Sequence, residues 1–180
     1  MADRRDELLT LAYAYVCEHG LAGLSLRPLA AAIGSSPRVL LFLFGSKDGL
    51  VKALLARARE EELALLATLG DADGLVAAAE AVWGWLCDPA HRPLLRLWLE
   101  AYARSTADGT GGPWAGFAEA TVADWLAVLE RADRGTGAGA GSARRTAVLA
   151  VLRGALLDLL ATGDTARTTA AVHLALSPAP

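Results

Sequence analysis

Apolar residues recur every three or four positions along most of this chain, which is the spacing of amphipathic α-helices. In the first such segment, about 3–19, Leu8, Ala12 and Val16 fall on one face. A glycine-rich stretch, "RGTGAGAGSARR" at residues 134–145, is predicted as a flexible loop. The nine predicted helices span about residues 3–19, 26–33, 37–44, 47–69, 73–87, 90–106, 113–133, 143–162 and 164–176.

The segment "SSPRVLLFLFGSKDGL", residues 35–50, contains six consecutive apolar residues and allows either a short buried strand or a helix. Ser36 is a favourable N-cap, and Pro37 suits the first helical position. Gly45 is a common helix stop, and the leucines favour a helix over a strand. We therefore predict a helix of about two turns over residues 37–44.

A second short helix, capped by Ser25, precedes this one, and only the turn at Gly34 separates the two. Two helices joined by a tight glycine turn form a helix-turn-helix, whose second helix enters the major groove of DNA. Arg27, Arg38 and Lys47 are the nearby cations, and basic side chains and helix N-termini bind phosphates. The alternative that the spacing leaves open is three helices packed in an ordinary α-helical bundle.

Composition agrees with an all-α protein. Hydrophobic residues make up 54% of the 180 residues and charged residues 21%, and the apolar share rests on the helix formers alanine and leucine. No charge-free apolar run reaches the roughly 18–20 residues that a membrane span needs, so we expect no membrane partner. Cys17 and Cys87 form no disulfide framework or CxxC pair, which fits the reducing cytoplasm.

Charge is distributed unevenly along the chain. The net charge is −3, but residues 1–60 contain 8 Lys and Arg against 6 Asp and Glu, whereas residues 61–180 contain 9 against 14. Both lysines, Lys47 and Lys52, lie in the first part. Only the N-terminal third is therefore expected to face a polyanion.

The sequence lacks the patterns of an enzyme. His19, His91 and His173 lie on separate predicted helices, and no metal-ligand spacing such as HExxH occurs. The "GSKDG" segment lacks the upstream glycine of a P-loop. We therefore predict no catalytic residues, no metal site and no cofactor.

Residues 8–55, "LLTLAYAYVCEHGLAGLSLRPLAAAIGSSPRVLLFLFGSKDGLVKALL", resemble the N-terminal domain of TetR-type transcriptional regulators. The most specific pieces are the helix entry "SLRPLA", the turn "AIGSSP" and the junction "FGSKDGL". The resemblance implies an all-α chain with a three-helix DNA-binding domain at residues 1–47 and a helical ligand-binding and dimerisation domain at residues 48–180. It also implies a ligand-responsive regulator, a repressor, that binds a palindromic operator as a dimer.

Ten positions of the helix-turn-helix are predicted to contact double-stranded DNA: Ser25, Arg27, Ser35, Ser36, Pro37, Arg38, Val39, Phe42, Leu43 and Lys47. Where the resembled family usually carries aromatic hydroxyls and a histidine or similar polar residue, this chain carries Leu41, Phe42 and Leu43. These side chains donate no hydrogen bond to phosphate, although apolar groups contact thymine methyls. A second function therefore stays open, namely a dimeric helical module that binds a small molecule or a protein and has kept the fold without useful DNA affinity.

Aromatic residues concentrate on the middle helices. Core packing or a dimer contact is the simplest interpretation of each one, whereas the resemblance implies an apolar pocket for a small effector. The candidate pocket residues are Trp83, Trp98, Tyr102, Trp114, Phe117 and Trp125. We expect an uncharged or lipophilic ligand, whose entry would shift the middle helices, move the fourth helix and change the spacing of the two DNA-reading heads.

The last two predicted helices carry a wide apolar surface, formed by Val148, Leu149, Leu152, Leu156, Leu159, Leu160, Val172, Leu174 and Leu176. The resemblance implies that these helices pair across a two-fold axis as a four-helix bundle. We therefore expect a homodimer, which also places two recognition helices about 34–36 Å apart, as successive major grooves require.

Overall fold

The computed structural model describes residues 2–68, 72, 74–107, 111–133 and 138–177 of the 180-residue chain. These residues form nine α-helices and no strand, which confirms the predicted fold class. The helices are α1 (Ala2–His19), α2 (Leu26–Ala32), α3 (Pro37–Phe44), α4 (Lys47–Thr68), α5 (Leu75–Cys87), α6 (Arg92–Ala107), α7 (Phe117–Ala132), α8 (Ala138–Thr162) and α9 (Thr165–Leu176). A 3₁₀ turn, Pro89–His91, leads into α6.

The start of α8 corrects the prediction for the glycine-rich stretch. Residues 138–142 are helical, so the predicted loop is wrong there and the helix predicted at 143–162 begins five residues earlier, whereas residues 134–137 lie outside the described part of the chain. Arg145 gives a physical reason, because its guanidinium lies 3.3 Å from Asp133 Oδ2 and 3.2 Å from Glu130 Oε1. These two ion pairs hold the first turns of α8 beside the end of α7, and they oppose the cost of about 1 kcal/mol that each helical glycine carries.

Three helices, α5, α6 and α7, begin two to four residues later than the sequence pattern predicted. The largest difference is at α7, which starts at Phe117 because residues 111–116 form a turn. Gly116 has a φ angle of +75° in this turn, a conformation that excludes it from a right-handed helix and that glycine adopts at little steric cost.

The chain divides into two compact units, and the first comprises Met1–Glu61 and Pro93–Ala120. Within it, the apolar faces of α1, α2 and α3 and the start of α4 share a core. Glu100 on α6 accepts a hydrogen bond from the backbone N–H of Leu21 at 2.8 Å, which fastens the loop between α1 and α2. The fully buried residues of this core are Leu8, Ala12, Val16, Leu29, Ala30, Leu50 and Leu54.

The second unit comprises Glu62–Arg92 and Thr121–Pro180. Helices α5, α8 and α9 pack together around Trp83, whose indole N–H donates a hydrogen bond to Thr169 Oγ1 at 3.0 Å. The deeply buried residues around it are Ala78, Val82, Leu86, Leu152, Leu156, Leu159 and Val172. The predicted domains, residues 1–47 for DNA binding and residues 48–180 for ligand binding and dimerisation, are defined by function, whereas these two units are defined by their packing. The predicted domain boundary therefore stays a prediction.

Within the described ranges, no single helix has both the length and the apolar character to cross a membrane. Helices α2 and α3 reach that length and apolar character only as a pair, and they are bent by 102° at the turn between them. An angle of this size is typical of a helix-turn-helix.

Candidate nucleic-acid interface

The turn between α2 and α3 is closed by backbone hydrogen bonds. The N–H of Ser35 donates to the carbonyl of Ala30 at 2.8 Å, and Gly34 has a φ angle of +65° that lets the chain reverse. On the inner side, Leu29 of α2 and Leu40 of α3 are buried. Packing of these two leucines holds the inner side of α3 against α2, whereas the outer side of α3 is exposed.

Capping groups define both ends of α3. Ser36 is the N-cap, and its Oγ accepts a hydrogen bond from the N–H of Val39 at 3.3 Å. Pro37 takes the first helical position, as predicted. Gly45 ends the helix with a φ angle of +77°, and its N–H donates to the carbonyl of Leu41 at 2.9 Å.

The junction into α4 explains the second glycine of "FGSKDGL". Ser46 Oγ accepts a hydrogen bond from the N–H of Gly49 at 2.9 Å. A Cβ atom at position 49 would lie 2.0 Å from the carbonyl oxygen of Phe44. Only glycine therefore lets the start of α4 approach the end of α3 this closely, a role of Gly49 that was not predicted.

The outer side of α3 is apolar and exposed. Phe42 is 73% exposed, Leu41 42% and Val39 39%, and Arg38 is exposed beside them. We call these four residues the reading face. Leu43, also a predicted contact, is only half-buried and lies between the inner and outer sides.

The three predicted cations lie on α2, on α3 and at the start of α4. Arg27, Arg38 and Lys47 are exposed, and none of them pairs with a carboxylate among the residues that the structure describes. A further cation near α3, which was not predicted, is Arg5 of α1, whose guanidinium carbon lies 5.0 Å from the centre of the buried Phe44 ring. Unlike the other three, Arg5 has a carboxylate nearby, because its guanidinium lies 3.8 Å from Asp6 Oδ1. The "RR" pair at residues 4–5 marks this cation in the sequence, but the pair alone does not indicate that Arg5 contacts α3.

The serines predicted to contact DNA differ in their surroundings. Ser25 is exposed at the N-cap of α2 and makes no capping hydrogen bond through its side chain. Ser36 is exposed and caps α3. Ser35 is half-buried, and its Oγ atom is enclosed without a hydrogen-bond partner in the described residues. Ser25 and Ser36 therefore remain open to phosphate, whereas Ser35 is more enclosed.

The structure distributes the six predicted pocket residues over both units. In the first unit, the rings of Trp98 and Tyr102 lie 5.2 Å apart, and Trp114 and Phe117 are buried. In the second unit, Trp83 bonds to Thr169 as described above, and the indole N–H of Trp125 donates a hydrogen bond to the buried carboxylate of Glu62. Their burial fits core packing as well as ligand contact, so the aromatic pocket stays a prediction.

Each unit also contains a cavity of its own. The cavity of the first unit measures about 240 Å³ and lies between α4 and the turn before α7, where Phe117 is the one predicted pocket residue in its wall. The cavity of the second unit measures about 350 Å³ and lies among α5, α8 and α9. Val76 and Val151 are among its apolar lining residues, and Arg144 is a charged one. Ligand cavities in proteins span about 300–1,000 Å³, so the second reaches the lower end of that range.

Helices α8 and α9 bury most of the apolar residues that suggested a dimer surface. Seven of the nine face the core of their own unit: Val148, Leu149, Leu152, Leu156, Leu159, Val172 and Leu176. Leu174, by contrast, is 80% exposed, and Leu157 on α8 is 48% exposed. Small residues surround these two leucines at helical spacing, and we call the set the α8–α9 surface: Ala150, Gly154, Leu157, Ala161, Ala170 and Leu174.

Charges beside the α8–α9 surface are already paired. Arg167 of α9 lies 2.6 Å from Asp158 of α8 and 3.4 Å from Asp164. The hydrogen bond and positive charge of Arg167 lower the pKa of the Asp158 carboxyl below its ordinary value. This region therefore presents neutral, apolar groups rather than free charge.

No protein-family model matches the chain, and no curated protein matches it. Solved structures do resemble it. A transcriptional regulator from Rhodococcus sp. Rha1 is similar with a TM-score of 0.74 at 21% identity, over 96% of this chain and 93% of that one. The multidrug binding protein EbrR in complex with imidazole has a TM-score of 0.71 at 24% identity, over 100% of this chain and 93% of that one. A TetR transcription regulator from Haloarcula marismortui has a TM-score of 0.67 at 18% identity, over 97% of this chain and 95% of that one. The chain therefore has the fold of TetR-family transcriptional regulators along nearly its whole length.

Proposed function

We propose that this protein is a TetR-type transcriptional regulator, a repressor in the cytoplasm that binds a palindromic DNA operator as a homodimer and is released by a small apolar effector. The observation that carries the proposal is α3, a capped two-turn helix held on a helix-turn-helix with its outer side free. The fold shared with solved TetR-family regulators supports the same conclusion.

Support for DNA as the partner comes from charge. Arg27, Arg38 and Lys47 are exposed and unpaired among the described residues, and cations left without carboxylates are suited to phosphates. Arg38 lies on α3, a helix of the length that fits a major groove, and Arg27 and Lys47 lie on the helices before and after it. Phosphate contacts would position the protein, and the outer side of α3 would contact the bases.

Support for a homodimer comes from the α8–α9 surface. An 80% exposed leucine on α9 and a half-exposed leucine on α8 cost free energy in water unless another surface covers them. Small residues around them, such as Gly154, let a second helix approach closely. A symmetric dimer through this surface carries two copies of α3, as a palindromic operator requires.

Support for an apolar effector comes from the buried aromatic side chains. The similar protein EbrR, which has been solved with imidazole and with proflavin, supports a small molecule as the ligand. An effector releases the operator only if it binds the DNA-free conformation more tightly than the DNA-bound one. Binding of the proposed effector and binding of DNA therefore weaken each other, although the two ligands occupy different sites.

The proposal is tested by binding the full-length protein to DNA fragments from upstream of its own gene, in competition with random DNA and across a range of salt concentrations. The expected result is a sequence-specific complex whose affinity falls steeply with salt, because several phosphates are contacted. Equal affinity for upstream and random fragments at low salt would contradict the proposal. It would favour instead a dimeric helical binding module that has lost DNA affinity, for which the apolar outer side of α3 is the specific argument.

A further inference from the structure

The residues of the reading face occupy one side of α3, opposite its buried residues. In α3, Leu40 and Phe44 are one turn apart and buried, so the residues on the opposite side point outward. Arg38 and Phe42 are also one turn apart, and they lie at the centre of this outward side. The exposed side chains of Val39 and Leu41 flank them. A partner that meets α3 therefore meets three apolar side chains and a single cation.

This composition limits how the reading face recognises a base pair. Arg38 alone among its four side chains donates hydrogen bonds. In the major groove, hydrogen-bond donors and acceptors mark all four base pairs, but only thymine also presents a methyl group there. Apolar side chains such as Phe42 and Leu41 discriminate between base pairs through that methyl group.

Charge around the reading face favours DNA over a protein as the partner of these apolar groups. Arg27 and Lys47 lie on the elements before and after α3, and within the described residues they have no carboxylate partner. An apolar protein surface would leave these cations to be desolvated without compensation, which costs free energy. The major groove of DNA offers both phosphates for the cations and methyl groups for Phe42.

We propose that the reading face selects its operator by contacts between Val39, Leu41 and Phe42 and the C5-methyl groups of pyrimidines, with Arg38 supplying the hydrogen bonds to one neighbouring base pair. The inference rests on the proposed DNA-binding function and specifies how the bases are read. Each half-site then contains adjacent thymines at its centre. A 5-methylcytosine at the same position presents the same methyl group and partly replaces a thymine.

The test uses the full-length protein and the duplex that it enriches from a random-sequence library. In that duplex, each thymine of the half-site is replaced by deoxyuridine, which removes the methyl group and leaves the hydrogen-bonding groups unchanged. Affinity is expected to fall about threefold or more for each contacted methyl group, because each loses the favourable free energy of burying one apolar carbon. Deoxyuridine in the flanking sequence is the matched control and is expected to leave affinity unchanged.

The protein side of the test is a double-mutant cycle. Phe42→Ala and Leu41→Ala are expected to weaken binding to the thymine duplex and to remove the difference between thymine and deoxyuridine at the contacted position. Leu11→Ala is the control, because Leu11 is an exposed leucine on α1 outside the reading face. Circular dichroism checks that all three variants keep their helical content.

Each outcome decides the matter. Loss of affinity with deoxyuridine that disappears in Phe42→Ala or Leu41→Ala supports the inference. A specific complex that tolerates deoxyuridine throughout the half-site overturns it and leaves the regulator function intact. No specific duplex at all, together with self-association that Phe42→Ala abolishes, overturns both and identifies α3 as a contact between copies of the chain.

Discussion

Two exposed apolar surfaces of this protein, the reading face and the α8–α9 surface, differ in the charges around them. Both place leucines or a phenylalanine in water, with Phe42 73% exposed and Leu174 80% exposed. Beside the reading face, Arg27 and Lys47 are unpaired among the described residues. Beside the α8–α9 surface, Arg167 is paired with two aspartates.

The difference indicates the kind of partner each surface suits. An apolar patch with free cations around it complements a polyanion that carries apolar groups, whereas an apolar patch whose neighbouring charges are paired complements another apolar patch. Exposed apolar residues alone would not separate the two. The electrostatic surroundings therefore support the proposal that α3 binds DNA and that α8 and α9 bind a second copy of the chain.

The largest expected effect comes from placing charge on the α8–α9 surface. In the double variant Leu157→Asp with Leu174→Asp, dimerisation would bury four aspartates, and each is costly to desolvate without a partner. We expect the dimer dissociation constant to rise by more than about a hundredfold, which corresponds to about 3 kcal/mol. Sedimentation equilibrium measures it, and operator affinity should fall in parallel.

The matched control for this variant is Leu63→Asp, because Leu63 is a 40% exposed leucine on α4, outside both surfaces. It should leave the dimer intact. A Leu157→Asp, Leu174→Asp protein that stays dimeric would show that these two helices are not the interface, and the comparison between the two surfaces would fail.

A second, smaller effect separates the cations of the reading face from those around it. Arg38→Ala should lower affinity for the preferred duplex about tenfold and reduce the preference for that duplex over random DNA, because Arg38 is proposed to contact bases. Lys47→Ala should weaken binding to all sequences similarly and reduce the slope of log affinity against log salt by about one for each protomer, because Lys47 is proposed to contact phosphate. Competition binding at several salt concentrations measures both. If the two variants behave alike, the roles assigned to these cations are wrong.

A third effect compares two exposed helical glycines, Gly154 on the α8–α9 surface and Gly84 on α5. A Cβ atom at either position meets no atom within 4 Å in the described chain, so alanine should raise the free energy of unfolding by about 1 kcal/mol at both. Only Gly154→Ala should also weaken the dimer, about fivefold or more, since an added methyl group would crowd a close helix contact. Equal dimer dissociation constants for the two variants would place Gly154 outside the interface.

The smallest effect concerns the pKa of Asp158, which Arg167 holds below the ordinary 3.8. A folded-state pKa below the unfolded one stabilises the fold above the unfolded value, and this contribution is lost as pH falls through the folded pKa. Arg167→Ala should therefore raise the pKa of Asp158 and make the protein less sensitive to acid between these two values. Carboxyl NMR titration measures the shift, with Arg144→Ala on α8 as the control. An unchanged Asp158 pKa would mean that the pair does not persist in solution.

The sequence predicted much of the fold because its signals were local. Helical spacing and the caps Ser36 and Gly45 located α3 to the residue, and the "AIGSSP" turn located its partner α2. The start of α8 was not predictable in this way. Its glycine-rich composition favoured a loop, and the ion pairs of Arg145 with the end of α7 become visible only when the two helices are placed together.

The candidate site was predictable in its residues but only partly in its geometry. Of the apolar residues of α3 that were predicted to contact DNA, the structure places Val39 and Phe42 outside and leaves Leu43 half-buried. The predicted dimer surface was less accurate, because most apolar residues of the last two helices pack within their own unit. Hydrophobicity along a sequence does not distinguish an internal core from an external contact.

The close approach of Gly49 to the carbonyl of Phe44 has a consequence for how such a protein evolves. A side chain at position 49 would force the α3–α4 junction apart, so this position is closed to change, whereas Val39, Leu41 and Phe42 face outward and contribute little to the core. Substitutions at these outward positions therefore cost little stability. If α3 reads DNA as proposed, descendants of this chain can acquire new targets by substitutions on one side of a single helix, while the fold stays the same.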